Sequence, residues 1–555
     1  MHLALWPLFL SGALGQPTVD LRSKSLPFKH YWKSCVGSGH MLLGTRADWQ
    51  EHLLRAKAEL GFTGIRGHGW LDDDMSVVPA QGVYNFFNVD TVLDFLVRNQ
   101  IKPVLELSFM PRALVGCNDS TCKYAFGNPG GYKGLIMPPQ NYTEWEHLIT
   151  ALGQHVVDRY GLDEVSTWRF EVWNEMWGIA FPDPYMKLYA HSAAALKRVS
   201  QWLRVGGPAT MQCLYVKDFV DKCTAAGLPF DFVSTHLYPS DPECAIHDVP
   251  CFTRMITEAR DYVRSNSKAE FLVTEWNAGI ALPENLNLDT HYSASFIFRS
   301  IATIQDVDAF SWWTFSDIFE EGWMTRQEFN SQANYGLQTY HGVPKPAWRA
   351  FELLAKAGQW QATVDGAAPQ TANSTLSILA TLDAEDPQQA SELMLFVADW
   401  KPASTMARYA CNKTTGRCDL DPQGKYSDWN LCGANCNPGE RALTSVSDSA
   451  TISITIKHDS SGLFGGAPVT CTLVRIDESH SNPKAKWKEM GSPKYMNDVE
   501  IESLRNASAL SEEEPVQVQR LDPESSVVSF DMPAISAVRV LLSSRKPLQG
   551  KDQFV

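Results

Sequence analysis

The chain has 555 residues, enough for one large core and at least one further domain. Its 48 Lys and Arg against 63 Asp and Glu leave a formal charge of -15, which argues against the basic face that nucleic acid or an anionic membrane requires and disfavours a polyanionic substrate. Eighteen tryptophans in so acidic a chain fit a soluble protein that handles a neutral polymer.

Residues 1–15, MHLALWPLFLSGALG, set a short apolar run before the small residues Ala13 and Gly15, the pattern of a secretory signal peptide cut ahead of Gln16. No later run reaches the length of a membrane-spanning helix. Sequons at Asn118, Asn141, Asn373, Asn412 and Asn506 agree with the secretory pathway, ending outside the cell or in a lysosome or vacuole. So do close cysteine pairs at Cys117 and Cys122, Cys244 and Cys251, Cys411 and Cys418, and Cys432 and Cys436, which predict disulfides closing surface loops. The spacings lack a repeated Cys-x-x-Cys and a matching histidine pair, so neither a metal nor another cofactor is expected.

From Tyr31 to about Phe351 short apolar runs alternate with amphipathic helices. Helices are predicted over Asp48 to Leu60, Asn88 to Asn99 with Asn88 as cap, Tyr142 to Tyr160, Tyr185 to Leu203, Phe252 to Val263 and Asp289 to Gln305. Strands are predicted over Ser34 to Gly37, Phe62 to Arg66, Pro103 to Leu107, Trp168 to Asn174, Leu203 to Gly207, Phe232 to His236, Phe271 to Trp276 and Ala309 to Phe315. Eight such units indicate an α/β fold, a (β/α)8 TIM barrel over residues 16–357; an open doubly wound sheet alternates in the same way but lacks support from a Gly-rich phosphate loop. The run from Lys345 to Leu354 reads as the last barrel helix. Beyond Gly358, alternation at Leu376 to Ala380, Glu392 to Val397, Ala450 to Ile456, Val469 to Val474 and Val527 to Leu542 predicts a β-sandwich-like accessory domain over 358–555, to which Thr18 to Leu26 can add a strand. Asp498 to Glu514 reads as a charged, partly helical surface segment.

Two stretches carry the chemistry. Trp168-Arg-Phe-Glu-Val-Trp-Asn-Glu175 is an apolar run that delivers Asn174 and Glu175 among indole rings, and Phe271-Leu-Val-Thr-Glu-Trp-Asn277 delivers Glu275 in the same way. Two carboxylates at strand ends with tryptophan faces for a pyranose ring are what cleavage of a sugar acetal needs: one protonates the leaving oxygen, the other attacks or directs water at the anomeric carbon. Other polar residues fall at the same ends: His68, Glu106, His236, Tyr238, Trp313 and Glu320. His68 can instead fix a glycine-rich turn, and Glu106 can instead pair with Arg66 as a structural ion pair.

These segments resemble family 39 of the glycoside hydrolases. The likeness rests on Cys35-Val-Gly-Ser-Gly39, Ile65-Arg-Gly-His-Gly-Trp-Leu-Asp-Asp73, Glu106-Leu-Ser-Phe-Met-Pro111, Phe170 to Glu175, Val205-Gly-Gly-Pro208, Asp231 to His236, Thr274-Glu-Trp-Asn277 and Ser311 to Glu321, and resumes near Asn482 to Arg505. It is closer to the β-D-xylosidases of that family than to α-L-iduronidase. The resemblance implies a retaining glycosidase with Glu175 as acid/base and Glu275 as nucleophile, and a first sugar subsite lined by His68, Asn174, His236, Tyr238, Trp313, Glu320 and Glu321. One departure is Met176, where many relatives carry proline. An iduronide differs from a xyloside by a carboxylate on carbon 5 and calls for a cation there. His236-Leu-Tyr238 has no adjacent lysine, which favours the neutral sugar, and Arg326 is the cation that could reverse that reading. A barrel that binds carbohydrate without cleaving it is the remaining alternative.

Overall fold

The computed structural model describes residues 16–544 apart from 126–133, 242–243, 245–248, 281–286, 321–327, 330–333, 367–374, 402–408, 413–416, 421–448, 461, 466–468 and 513–515. The predicted signal peptide, Glu321, Arg326, Asn373, Cys432 and Cys436 therefore lie outside the described residues.

Eight parallel strands close into a barrel: β1 (Val36–His40), β2 (Gly64–His68), β3 (Lys102–Leu107), β4 (Arg169–Val172), β5 (Arg204–Thr210), β6 (Phe232–Leu237), β7 (Glu270–Trp276) and β8 (Ala309–Trp312), with Trp312 of β8 paired to Val36 of β1. The helices of the outer ring are α1 (Ala47–Leu60), α2 (Phe87–Arg98), α3 (Tyr142–Tyr160), α4 (Tyr185–Val199), α5 (Val216–Ala226), α6 (Cys251–Asn266), α7 (His291–Thr303) and α8 (Pro346–Ala355). Their apolar stripes explain their placement: α1, for instance, buries Trp49, Leu53, Ala56 and Leu60 and stops at Gly61, whose φ of 78° only glycine adopts without cost.

The sequence reading misses α5, and it misplaces the start of α2. That helix begins at Phe87 without a side-chain cap; Asn88 instead donates its amide to the Met75 carbonyl, while Asn85 accepts the Phe87 N–H. Asn141 does cap α3, by accepting from the Thr143 N–H.

Two further sheets follow the barrel, and both ends of the chain build them. Thr18–Asp20 pairs with Thr363–Asp365 and Ser449–Lys457 in a five-stranded sheet, while Leu26–Pro27 joins Trp360–Gln361 at the edge of a six-stranded one. Period-two alternation sorts the strands of the six-stranded sheet. Ile378, Ala380, Leu395 and Val397 face the five-stranded sheet, where Val19, Ile454, Ile456 and Val528 meet them. Their neighbours Leu379, Phe396 and Ala398 face the other way and belong to the barrel's own core. The element they cover is α7, buried almost throughout, with Phe298 edge-on to Phe396 at 5.3 Å. Two late helices, α9 (Pro483–Glu489) and α10 (Asp498–Ser508), pack Trp487, Ile501 and Leu504 against Phe329 and Val343 of the chain after β8.

Disulfides join Cys117 to Cys122 and Cys244 to Cys251, and Cys411 stands opposite Cys418 in a two-stranded ladder. Among the described residues no helix is long and apolar enough to cross a membrane.

Candidate active site

At the carboxyl ends of the barrel strands the polar residues converge. The register does the first part of this work: His40 is the partner of His68 across β1 and β2, Glu106 of Glu171 across β3 and β4, and His236 of Glu275 across β6 and β7.

Glu175 is delivered by a turn after β4 whose backbone is left-handed at Trp173 (φ 71°), Glu175 (49°) and Met176 (58°). Such conformations cost of order 1–3 kcal/mol each and persist where the surroundings hold them. Here the Glu175 N–H donates to the Ala209 carbonyl at 2.9 Å, and the Trp173 indole donates to the Trp177 carbonyl at 3.0 Å. Met176 occupies a φ that the proline ring excludes, so this turn follows a course closed to a chain with proline there.

Glu275, at the end of β7, is held from two sides. Tyr238 donates its hydroxyl to Oε2 at 2.7 Å and Arg66 donates Nη1–H to Oε1 at 2.6 Å. Oxygens of Glu175 and Glu275 and a ring nitrogen of His236 all lie within 4.8 Å of one another. His236 Nδ1 is 2.7 Å from Glu175 Oε1 and 3.5 Å from Glu275 Oε2. Burial depresses the His236 pKa to about 4, so the ring is neutral and shares a proton with Glu175.

Burial also raises Glu175 to about 7; Arg66, His68 and a hydrogen bond from Trp177 pull in the opposite direction. Loss of water, rather than a neighbouring negative charge, is the largest cause of this rise. A carboxyl so poised is protonated at mildly acidic pH and able to give the proton up.

The other predicted residues group as follows. Asn174 accepts from Arg66 Nη2 at 2.9 Å, which fixes its amide with the NH2 group as the remaining donor. Burial opposes a charge on His68, but Glu320, 2.8 Å from its Nε2 through Oε1, outweighs it and raises the pKa, which favours the ion-paired form. The same Glu320 oxygen accepts the His40 N–H at 2.7 Å, and only glycine fits at 39, where a Cβ would strike the carboxylate. Trp313 packs with Tyr238 and Phe319 and lies 5.5 Å from the His68 ring.

Arg66 is the residue that sequence reasoning undervalues. Read there only as an ion-pair partner for Glu106, it also contacts Glu171, Glu275 and Asn174. Charged residues inside the β2 and β4 runs were the available signal, since an isolated buried charge is costly. As to metals, the Glu175, His236 and Glu275 atoms could approach a cation, as could His40, Asp72 and Asp74. In the second group Asp72 and Asp74 overcome burial and lift His40 to about 10, so a cation there would have to displace a proton from the ring.

A pair of carboxyl groups this close, one protonated and one held by donors, is the arrangement of double displacement at a sugar. The sequence profile of glycosyl hydrolases family 39 matches residues 17–412 and 441–521. The chain belongs to that family. This family 39 glycosidase is 34% identical over 521 residues to a β-xylosidase of Caldicellulosiruptor saccharolyticus, spanning 89% of this chain and 92% of that one. To mouse α-L-iduronidase it is 26% identical over 337 residues, spanning 54% of this chain and 49% of that one. The crystal structure of a monomeric β-xylosidase from Caulobacter crescentus CB15 shares its fold with a TM-score of 0.71 at 24% identity, covering 95% of this chain and 99% of that one.

Proposed function

We propose that the protein is a retaining β-D-xylosidase in which Glu275 is the nucleophile and Glu175 the acid/base. The observation that carries the mechanism is that an oxygen of Glu175 and an oxygen of Glu275 lie within 4.8 Å of each other. Retaining enzymes hold this pair about 5–5.5 Å apart, and inverting enzymes leave about 6.5–9.5 Å for a water.

In the first half-reaction Glu175 protonates the leaving oxygen as Glu275 bonds to the anomeric carbon. The resulting ester removes the Glu275 charge. Arg66, which already draws the Glu175 pKa down, then acts on it with less compensation. The carboxylate left on Glu175 takes a proton from water, which attacks the anomeric carbon from the face the leaving group vacated as the ester bond to Glu275 breaks, freeing the sugar and restoring both carboxyl groups. His68, Asn174, His236, Tyr238, Trp313 and Glu320 are assigned to the first sugar subsite, with the Asn174 NH2 group available to the sugar 2-hydroxyl; for Glu321 the family resemblance alone supports the same role.

The preference for a neutral sugar is supported by the β-xylosidase relative and by the charges in place. His68 is engaged by Glu320 and the Arg66 guanidinium by three carboxyl groups, so both cations are already partnered within the protein. We assign the enzyme to the secretory pathway on its apolar start and sequons, and the two disulfides support this. The test is a substrate panel: wild type should cleave aryl β-D-xyloside and leave aryl α-L-iduronide intact, with Glu275→Gln inactive. Cleavage of the iduronide alone overturns the sugar assignment, and no cleavage of any glycoside returns the protein to the binding-only alternative.

A further inference from the structure

Beneath the two glutamates lies a group of charges that the reaction scheme leaves unexplained. Arg66 is 0% exposed and its guanidinium faces three carboxylates at once: Nε donates to Glu171 at 2.5 Å, Nη1 to Glu275 at 2.6 Å and Nη2 to Glu106 at 2.5 Å. One fixed positive charge is divided among three carboxyl groups. Glu106 and Glu171 are themselves fully buried and adjacent across β3 and β4; Glu106 also accepts from Ser108, and Glu171 accepts from Thr274 at 2.9 Å and has its charge stabilised by the Ser234 hydroxyl as well. A bare ion pair to anchor Glu275 needs one carboxylate. The two additional ones, deeper in the barrel, compete with Glu275 for the cation.

The geometry points to Glu171 and Glu106 as positioning residues of the nucleophile, which set how firmly Arg66 holds the charge on Glu275. This rests on reading Glu275 as the nucleophile. A carboxylate bound too tightly by a guanidinium is a poor nucleophile; one that shares the guanidinium with two buried rivals keeps its orientation and more of its reactivity. Arg66 overcomes burial to keep Glu171 below the usual carboxylate range, whereas burial lifts Glu106 to about 7, so Glu171 is the charged rival at mildly acidic pH. The other titratable groups facing this cluster include His68 from β2, Glu175 after β4, His236 and Tyr238 from the β6 end, Glu320 through His68, Cys35 just ahead of β1 and Tyr185 of α4, the last two pushed up by burial.

Two substitutions pull in opposite directions. Glu171→Gln removes a rival charge, so Arg66 binds Glu275 more strongly. The acid limb of kcat/KM, read with an aryl β-xyloside, should move to lower pH by roughly half a unit or more, while kcat falls about tenfold at similar KM. Thr274→Val keeps the shape but takes away one hydroxyl that stabilises the Glu171 charge. Glu171 then leans harder on Arg66, and the acid limb should move to higher pH. If Glu171→Gln fails to fold, the Thr274→Val shift decides alone. Acid limbs superimposable on wild type, with only a uniform loss of rate, or a Thr274→Val limb moved downward, overturn the inference. Failure of the underlying reading would look different: wild type itself would leave the xyloside intact, or Glu275→Gln would retain its activity.

Discussion

Glutamine at 175 keeps the size and hydrogen-bonding reach of the side chain but can neither give nor take a proton. With Glu175 near 7, the protonated fraction falls from about nine-tenths at pH 6 to about one-tenth at pH 8, so wild-type kcat/KM should drop about tenfold across that interval. Activity is lost as pH rises because the acid form is the one required. Glu175→Gln should remove this basic limb. For a xyloside with a sugar leaving group the loss should be about 10²–10⁴-fold, the usual worth of a positioned general acid. For a dinitrophenyl xyloside, whose leaving group departs unprotonated, the first half-reaction should survive and the second should stall, giving a burst of phenolate followed by slow turnover. Stopped-flow absorbance with both substrates reads the difference. Equal losses for the two leaving groups, or a basic limb unchanged in the variant, would refute the assignment.

Three further substitutions probe the supports of the site. Gly39→Ala drives a methyl group into the Glu320 carboxylate, so it should raise KM for the xyloside severalfold or more while circular dichroism shows an intact barrel. Arg66→Met leaves three buried carboxylates without their cation and should cost about 3–5 kcal/mol in unfolding free energy. Those carboxyls would then sit above their unfolded value of about 4.3, so the deficit should be smallest below that pH and grow as pH rises through neutrality, which thermal melts across pH can follow. Phe298→Ala at the contact between α7 and the six-stranded sheet should cost about 3–5 kcal/mol in chemical denaturation, with KM for the xyloside unchanged.

Much of this was legible because a barrel puts its chemistry at strand ends, where an apolar run must give way to polar residues. Glu175, Glu275, His236 and Tyr238 could be picked out one by one for that reason. What joins them could not. The division of Arg66 among Glu106, Glu171 and Glu275 depends on strand register and side-chain direction, and neither follows from spacing alone. The leading role of burial in raising Glu175 depends on how much chain closes over it, a sum over many loops. Local signals also lost to tertiary ones: Asn88 resembles a helix cap, yet the Met75 carbonyl nearby claims its amide. A strand within Thr18 to Leu26 was expected and Thr18–Asp20 forms one, but its place between residues 363–365 and 449–457 was not legible, because pairing partners hundreds of residues apart leave no local mark.

The account turns on Glu275 forming a bond to the sugar. Incubation with 2-deoxy-2-fluoro-β-D-xylosyl fluoride, whose fluorine slows release of the intermediate, followed by proteolysis and mass spectrometry, would show it directly. The prediction is one equivalent of fluoroxylose on the peptide that contains Phe271 to Asn277, attached at Glu275, and none on the Glu275→Gln protein. A label on another carboxylate, or a first-formed xylose of inverted configuration with no label at all, would contradict the double-displacement mechanism at its root.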